Sequence, residues 1–189
     1  TDVIPLELDQ VRNGSAIVQD EGSQLVAQAF LLAAPTGPES AWLDMCAGPG
    51  GKAALISDSV PLGVEFIAVD LHTHRVKLMS KIIGPSATLL TGDARERPWG
   101  NRFFDRVLLD APCSGLGALR RRPEARWRKT KKQTLELTEL QEELLFAAID
   151  STRVGGIIAY VTCSPYLEET WAVVESVLHA RANVQLEDA

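Results

Sequence analysis

The stretch AWLDMCAGPGGK, residues 41–52, decides the fold. Its first five residues are mostly apolar and predict a short buried strand, whereas the glycines and proline of residues 47–51 predict a tight turn. A helix is predicted to follow over residues 52–58. Glycine lets a backbone approach a ligand closely and a helix N-terminus favours negative charge, so this order outlines a nucleotide-binding arrangement. A tight connection in a parallel sheet would show the same pattern.

Strands and helices alternate from this stretch onward. Because strands that alternate with helices pair in parallel, the predicted fold class is α/β, a doubly wound and mostly parallel sheet with helices on both faces. Gly155 and Gly156 are predicted to end the longest helix. Residues 1–40 are predicted to be an N-terminal segment whose helix caps the sheet, and residues 41–189 the main domain. The other predicted strands cover residues 64–69, 87–90, 104–109 and 157–161, and the other predicted helices residues 21–33, 72–83, 134–153 and 168–178.

The 189 residues have the composition of one α/β domain, since 46% are hydrophobic and 23% are charged. No apolar run approaches the roughly 20 residues that span a bilayer, and residues 1–4 lack the features of a signal peptide. We therefore expect a cytoplasmic protein with no membrane partner, and a monomer by default. Three scattered cysteines without CxxC spacing predict reduced thiols and no metal site.

A basic segment, residues 120–132, interrupts an acidic chain. The chain has a net charge of −6, but this segment alone carries +7 and the remainder −13. Arginines neutralise phosphates and an aromatic ring can stack on an unpaired base, so the segment is a candidate RNA contact. A solvated loop with its tryptophan packed on the domain is the alternative. The candidate RNA-binding residues are Arg120, Arg121, Arg122, Arg126, Trp127 and Arg128.

Three aspartates, Asp70, Asp93 and Asp110, end predicted strands on the edge that carries the glycine turn. An acid after the second strand can accept both ribose hydroxyls of an adenosine, which favours NAD or S-adenosylmethionine over a cofactor with a 2′-phosphate. Each aspartate could instead cap a helix. Their common position at strand ends favours a ligand site.

Two cysteines, Cys113 and Cys163, each follow a buried hydrophobic strand directly. In a parallel sheet the carboxyl ends of strands lie at one edge, so these loops are predicted to converge there. A buried cysteine is more often an inert hydrophobe, but two of them in polar loops at the ligand edge favour chemistry. Cys46, in the glycine turn, is interpreted as structural, with its backbone facing the cofactor.

Five motifs carry a resemblance to a known family: DMCAGPGGK, AVDLHTHR, TGDAR, DAPCSGLGALRRRPEARW and VTCSPYLEE. In this order they resemble the successive motifs of the RNA 5-methylcytosine methyltransferases, in particular the bacterial Sun/Fmu (RsmB) branch that acts on 16S ribosomal RNA. The stretch IVQDEGSQLVA resembles the helix that precedes the cofactor motif in that family. The similarity runs from about residue 17 to residue 178.

The resemblance implies a Rossmann-like class I methyltransferase fold, S-adenosyl-L-methionine as cofactor and RNA as substrate. It implies that Cys163 is the nucleophile that adds to the base, that Cys113 acts in product release, and that Asp110 lies between cofactor and base. Asp70 would hold the ribose hydroxyls and Asp93 would contact adenine. The remaining cofactor-binding residues implied are Cys46, Ala47, Gly48, Pro49, Gly50, Gly51, Lys52 and Arg75, the last with a less certain role.

The turn CAGPGGKA departs from the family, which more often has alanine before the proline and threonine after the lysine. Family members also continue beyond Ala189 through further strands, so we expect a catalytic domain excised from a longer protein. Two other functions fit parts of the sequence. One is an NAD-dependent oxidoreductase with a redox cysteine, and the other is a non-catalytic RNA-binding or assembly module that retains the fold.

Overall fold

The computed structural model describes residues 7–13, 16–85, 87–119, 123 and 131–187. These ranges contain a five-stranded sheet in the order β3-β2-β1-β4-β5, and all four strand pairs are parallel. The predicted α/β class and doubly wound parallel sheet are confirmed. The strands are β1 (Ala41–Asp44), β2 (Glu65–Asp70), β3 (Ala87–Thr91), β4 (Phe104–Asp110) and β5 (Thr152–Val161).

In the same ranges, six α-helices connect or flank these strands. In the longer helices, apolar residues recur three and four positions apart, the pattern that buries one face of a helix. The helices are α1 (Asp9–Arg12), α2 (Glu21–Leu32), α3 (Gly51–Ser57), α4 (Thr73–Met79), α5 (Lys131–Ser151) and α6 (Trp171–Ala180). Short 3₁₀ turns cover Ala94–Glu96, Leu116–Ala118 and Leu167–Glu169.

The sheet buries both of its faces. Side chains alternate along a strand, so neighbours such as Trp42 and Leu43 of β1 enter opposite cores. On one face Leu43 packs in a cluster with residues of α5 and α6. On the other face Trp42 packs in a cluster with residues of α2, α3 and α4. Apolar residues on both faces explain the unbroken apolar runs FIAV in β2 and VLL in β4.

The strand order reverses between β1 and β4. From β1 the chain proceeds outward to β2 and β3, and it then returns to place β4 on the other side of β1. At such a switch point the loops after the two central strands separate and leave a crevice beyond their carboxyl ends. Any ligand of this fold is therefore expected above Asp44 and Asp110.

At the other end of the sheet, where the strands begin, a buried arginine binds α2 to the sheet through hydrogen bonds. Arg106 of β4 donates hydrogen bonds to the backbone carbonyls of Phe30 (2.7 Å) and Ala33 at the end of α2, and it pairs with Glu39. These carbonyls have no partner within the helix itself, so the guanidinium replaces the missing donors. The contacts join the N-terminal segment to the main domain, and the division of the chain at residue 40 stays a prediction.

The prediction that Gly155 and Gly156 end the longest helix is wrong. The helix ends at Ser151, and β5 begins at Thr152 and runs through both glycines. Gly155 has φ +77°, and the β4–β5 register shifts opposite it between Phe104 and Arg106, as in a β-bulge. A Cβ on Gly156 would lie 2.9 Å from the carbonyl oxygen of Asp105, so close backbone approach requires this glycine.

Candidate active site

The glycine turn lies against the aspartate that ends β2. The amide of Gly48 donates a 3.1 Å hydrogen bond to Oδ2 of Asp70, and the amide of His72 donates to Oδ1 at 2.8 Å. A Cβ on Gly48 would lie 2.3 Å from that Oδ2, so only glycine permits this approach. Arg75 lies 3.6 Å from the same carboxylate. The structure thus brings together the predicted cofactor turn, Asp70 and Arg75.

Asp93 lies next to Asp70, since the amide of Gly92 donates to the carbonyl of Asp70 at 3.1 Å. Its carboxylate caps the following 3₁₀ turn by accepting from the amide of Arg95 at 3.0 Å. The Arg95 guanidinium also pairs with it, and this hydrogen bonding holds the pKa of Asp93 below its usual value. The capping alternative raised for the aspartates is therefore realised at Asp93, while its predicted contact with adenine stays a prediction.

Lys52 and Asp110 join the two sides of the crevice. Lys52 is in the first turn of α3 and Asp110 ends β4, and Nζ lies 2.7 Å from Oδ2. The lysine side chain is 15% exposed and the aspartate 34%. The pair is thus partly shielded from water, which strengthens the attraction between the charges, and it leaves the second oxygen of Asp110 available to a ligand.

Asp44, which the sequence analysis did not select, ends β1 and is 1% exposed. Neither carboxylate oxygen has a well-aligned hydrogen-bond partner within the part of the chain that the structure describes. Burial raises the pKa of Asp44 to about 8 and the charge of Asp110 adds to the increase, while Lys52 offsets it in part. With this pKa the carboxyl group is largely protonated at neutral pH, and a cationic ligand group beside it would favour its charged form. Asp44 lies near the end of a predicted strand, as the three selected aspartates do, and this position could have identified it from the sequence.

The two loop cysteines are in contact. Cys113 Sγ and Cys163 Sγ are 3.3 Å apart, and both thiols are free. The prediction that the two loops converge is therefore confirmed. β4 and β5 are neighbours in register, with Asp110 opposite Val161, so the residues just beyond their ends lie side by side.

The two thiols differ in acidity. A hydrogen bond from Cys113, assisted by the positive charge of Lys52, lowers the pKa of Cys163 to about 6, although burial and Asp110 oppose it. The same hydrogen bond raises the pKa of Cys113, and burial adds to that increase. Burial also raises the pKa of Cys46 above its usual range. The hydrogen bond between the loop thiols therefore favours ionisation of Cys163 over that of Cys113, and burial disfavours ionisation of Cys46.

A cleft of about 320 Å³ opens at Cys163. It is large enough for a base and lies at the ligand edge of the sheet. One wall comes from Asp20, just before α2, so the N-terminal segment contributes to the site, which the sequence analysis did not foresee. The lining residues are Asp20, Gly117, Ala118, Thr162, Cys163, Ser164 and Pro165.

The predicted RNA-binding residues lie outside the described residues: Arg120, Arg121, Arg122, Arg126, Trp127 and Arg128. The structure does describe the chain that leads into them. The amide of Gly117 donates to the carbonyl of Cys163 at 2.9 Å, so the chain just before the basic segment lies beside the cleft. The other end of the basic segment enters α5 at Lys131.

Residues 30–189 match the sequence family described as 16S rRNA methyltransferase RsmB/F. The chain belongs to this family. Ribosomal RNA small subunit methyltransferase B of Escherichia coli (strain K12) is 36% identical over 179 residues, which are 92% of this chain and 41% of that protein. Rv1407 of Mycobacterium tuberculosis (strain H37Rv), named as a methyltransferase, is 50% identical over 176 residues, 92% of this chain and 38% of that protein.

Solved structures agree with this assignment. NSun6 from Pyrococcus horikoshii, solved with SFG, has a TM-score of 0.81 and 29% identity, covering 94% of this chain and 46% of that one. PH0851 has a TM-score of 0.83 and 29% identity, covering 92% of this chain and 40% of that one. The RNA methyltransferase resemblance and the Rossmann-like methyltransferase fold are confirmed, and with them S-adenosylmethionine as the cofactor.

The chain spans about two fifths of the length of the curated relatives it matches. Among the described residues, no group of three or more His, Cys, Asp or Glu side chains could hold a metal ion. Within the same ranges no helix is both long and apolar enough to cross a membrane.

Proposed function

We propose that this chain is the catalytic part of an enzyme that transfers a methyl group from S-adenosylmethionine to C5 of a cytosine in RNA, with 16S ribosomal RNA the favoured substrate. The observation that carries the proposal is the pair of free thiols 3.3 Å apart at the carboxyl ends of β4 and β5. The charge of Lys52 lowers the pKa of Cys163, and the charge of Asp110 raises it. Hydride transfer to or from a redox cofactor does not require two adjacent thiols. Covalent catalysis on a pyrimidine uses one thiol as the nucleophile and the other in product release.

The residues around the switch point fit the cofactor. The unpaired, buried carboxylate of Asp44 suits the ammonium of the methionine portion, and the turn of residues 46–52 approaches closely enough to cradle it. Asp70 accepts ribose hydroxyls with the oxygens that now accept backbone amides, and Arg75 lies beside it. Asp93 lies on the adenine side. When bound, S-adenosylmethionine supplies an electrophilic methyl group.

Cys163 begins the reaction because C5 of cytosine is a poor nucleophile until a sulfur adds at C6. With a pKa of about 6 the thiol is largely ionised at pH 7, and the cleft holds the base beside it. A bond forms between Sγ and C6, and the electron pair of the C5–C6 double bond becomes available at C5 for attack on the methyl group.

Asp110 and Lys52 stabilise the adduct. As the thiolate adds, electron density moves toward N3 of the base, which needs a proton or a hydrogen bond there. The Lys52 ammonium, with Nζ 2.7 Å from Asp110 Oδ2, supplies a hydrogen-bond donor and a positive charge beside Asp110, where this electron density is stabilised.

Cys113 completes the cycle by removing the C5 proton, directly or through a water. Its pKa is raised by the neighbouring Cys163, through their hydrogen bond first and burial second. Once Cys163 is bonded to C6 that first cause disappears, so Cys113 loses its own proton to solvent more readily, and the resulting thiolate can accept the C5 proton. As the C5–H bond breaks, the double bond re-forms and the bond between Cys163 and C6 breaks.

RNA reaches this site as an unpaired or flipped-out base, because C5 and C6 of a base stacked within a duplex cannot reach Cys163 in the cleft. The basic segment, residues 120–132, follows Gly117 and Ala118 at the cleft in the sequence, and it supplies phosphate contacts through its arginines and a stacking surface through Trp127. We propose further that the protein works in the cytoplasm and as a monomer.

Covalent trapping tests the proposal. With S-adenosylmethionine, RNA containing 5-fluorocytidine should form an adduct that survives denaturation, because fluorine at C5 cannot be removed as a proton. The adduct should be lost in Cys163→Ala, whereas Cys113→Ala should accumulate an adduct even with ordinary cytidine. An adduct lost only in Cys113→Ala would reverse the two roles. RNA binding without any adduct would favour a non-catalytic module.

A further inference from the structure

We propose that Glu169 is a positioning residue that holds the two cysteine loops together and thereby sets the distance between their thiols. This inference rests on the proposed function, since it concerns the geometry of the same pair. Glu169 belongs to the 3₁₀ turn Leu167–Glu169 before α6, it is 0% exposed, and it touches neither thiol in the described contacts.

The carboxylate of Glu169 bonds to both loops at once. Oε1 accepts a 2.7 Å hydrogen bond from the backbone amide of Ser114, the residue after Cys113. Oε2 accepts a hydrogen bond from the hydroxyl of Ser164, the residue after Cys163. The carboxylate therefore reaches the same position in each loop, one residue beyond each thiol.

The two serines extend the link across the gap. Their hydroxyl oxygens are 3.1 Å apart, and the amide of Tyr166 donates to Ser164 Oγ at 3.1 Å. The backbones also meet directly, through the 2.9 Å bond from Gly117 to the carbonyl of Cys163. A Cβ on Gly117 would lie 2.9 Å from that carbonyl oxygen, so the loops are already at close approach.

Glu169 is itself fixed from two other elements. The buried amide of Gln141, on α5, donates both to Glu169 Oε1 at 3.2 Å and to the carbonyl of Pro112 at 2.9 Å. From β5, the hydroxyl of Tyr160 donates to the backbone carbonyl of Glu169 at 2.8 Å. The clamp therefore connects the cysteine loops to the rigid sheet and to the longest helix.

A carboxylate suits this position because it accepts through two oxygens and donates through none. Burial raises the pKa of Glu169, but the hydrogen bonds from Ser114 and Ser164 outweigh burial and hold the pKa below its usual value. The group therefore remains an acceptor toward both loops at neutral pH. Loss of one arm would let the loops separate and weaken a thiol–thiol hydrogen bond that depends on a 3.3 Å separation.

The test is the acidity of Cys163, which a merely structural residue would not control. The rate of Cys163 alkylation by iodoacetamide is measured against pH by peptide mass spectrometry in wild type and in Glu169→Ala. We expect the midpoint to rise from about 6 by about one pH unit or more in the variant. Glu169→Gln keeps the shape and one acceptor oxygen, so it should recover part of the shift. Glu168→Ala, an exposed glutamate one residue earlier, is the matched control and should titrate like wild type.

If Glu169→Ala does not fold, Ser164→Ala still tests the proposal, because it removes the hydrogen bond from one cysteine loop without leaving a large cavity in the core. It should raise the midpoint in the same direction, and with RNA as substrate it should lower kcat more than it raises KM. A folded Glu169→Ala or Ser164→Ala with the wild-type midpoint would overturn the positioning role. The titration needs neither RNA nor cofactor, so it separates this proposal from the proposed function. If the midpoint rises in the variants but wild type forms no RNA adduct, the proposed function is wrong and the positioning role of Glu169 stands.

Discussion

Charged side chains are buried at both ends of the strands, but they have more hydrogen-bond partners where the strands begin than where the strands end. At the edge where the strands begin, Arg106 pairs with Glu39 and with the last carbonyls of α2. Beside it Asp105 accepts from the amide of Ala41 at 2.8 Å and pairs with Arg153. Each of these buried charges is matched by several donors or acceptors of the same molecule, so this edge supports the architecture.

At the edge where the strands end, the matching is incomplete. Asp44 has no well-aligned partner within the described ranges, Asp110 pairs with one lysine, and the lowered pKa of Cys163 depends chiefly on one thiol. Polar groups left unpaired in a partly buried place cost stability, and they persist where a ligand completes them. The site is therefore recognisable by the partners that its polar atoms lack.

The largest effect is expected at the edge where the strands begin. Arg106→Met should lower the free energy of unfolding by about 3–5 kcal/mol, because Glu39 and the carbonyls at the end of α2 lose a buried donor. Urea unfolding measures the loss, and calorimetry on the folded variant should show unchanged affinity for S-adenosylmethionine.

Arg102→Ala is the matched control for that experiment. Arg102 also pairs with a glutamate, Glu65, but both side chains are exposed. Its removal should change the free energy of unfolding by no more than about 0.5 kcal/mol. Equal losses in the two variants would show that the buried network is no more important than a surface ion pair.

The reverse behaviour is expected of Asp44. Its folded-state pKa of about 8 lies above the value near 4 of an unfolded aspartate, so the native state binds more protons than the unfolded chain between these values. The free energy of unfolding therefore falls as the pH rises through this window. Asp44→Asn should remove that slope and be more stable than wild type at pH 8 by about 1 kcal/mol or more.

The stabilised Asp44→Asn variant should also bind S-adenosylmethionine about tenfold or more weakly, because the cationic group loses its carboxylate. Urea unfolding between pH 5 and pH 8 and calorimetry with the cofactor give the two quantities. A variant with the wild-type pH slope would mean that Asp44 is not the unpaired charge at this edge.

The fold could be predicted well because its signals are local in the sequence. Apolar runs that end in an aspartate or a glycine turn recur along the chain, and parallel pairing then placed both cysteine loops at one edge. The glycine pair at 155–156 misled because glycines after an amphipathic helix indicate a helix end and a bulge equally well. Only the packing of Gly156 against Asp105 distinguishes the two.

The parts of the site that the sequence did not predict depend on distant partners. Glu169 bonds to residues 55 and 28 positions away, and nothing near it in the sequence marks it as different from Glu168. The strand-end position of Asp44 is visible in the sequence, but its lack of a well-aligned partner among the described residues is visible only in the structure. Asp20 lines the cleft because α2 folds back onto the sheet, and that placement depends on the contacts of Arg106.

The smallest change in a measured rate is expected within the thiol pair, where two variants separate the two influences that lower the pKa of Cys163. The hydrogen bond from Cys113 is the largest influence that lowers its pKa and the charge of Lys52 is a lesser one. Cys113→Ala should therefore move the alkylation midpoint of Cys163 from about 6 most of the way toward the about 8.5 of a free thiol, and Lys52→Met should move it less. At pH 7 the alkylation rate should change only a few-fold, because a less acidic thiol is less ionised but more nucleophilic once ionised. If Lys52→Met produced the larger shift, the charge pair rather than the second cysteine would control the nucleophile, and Cys113 would be left with product release alone.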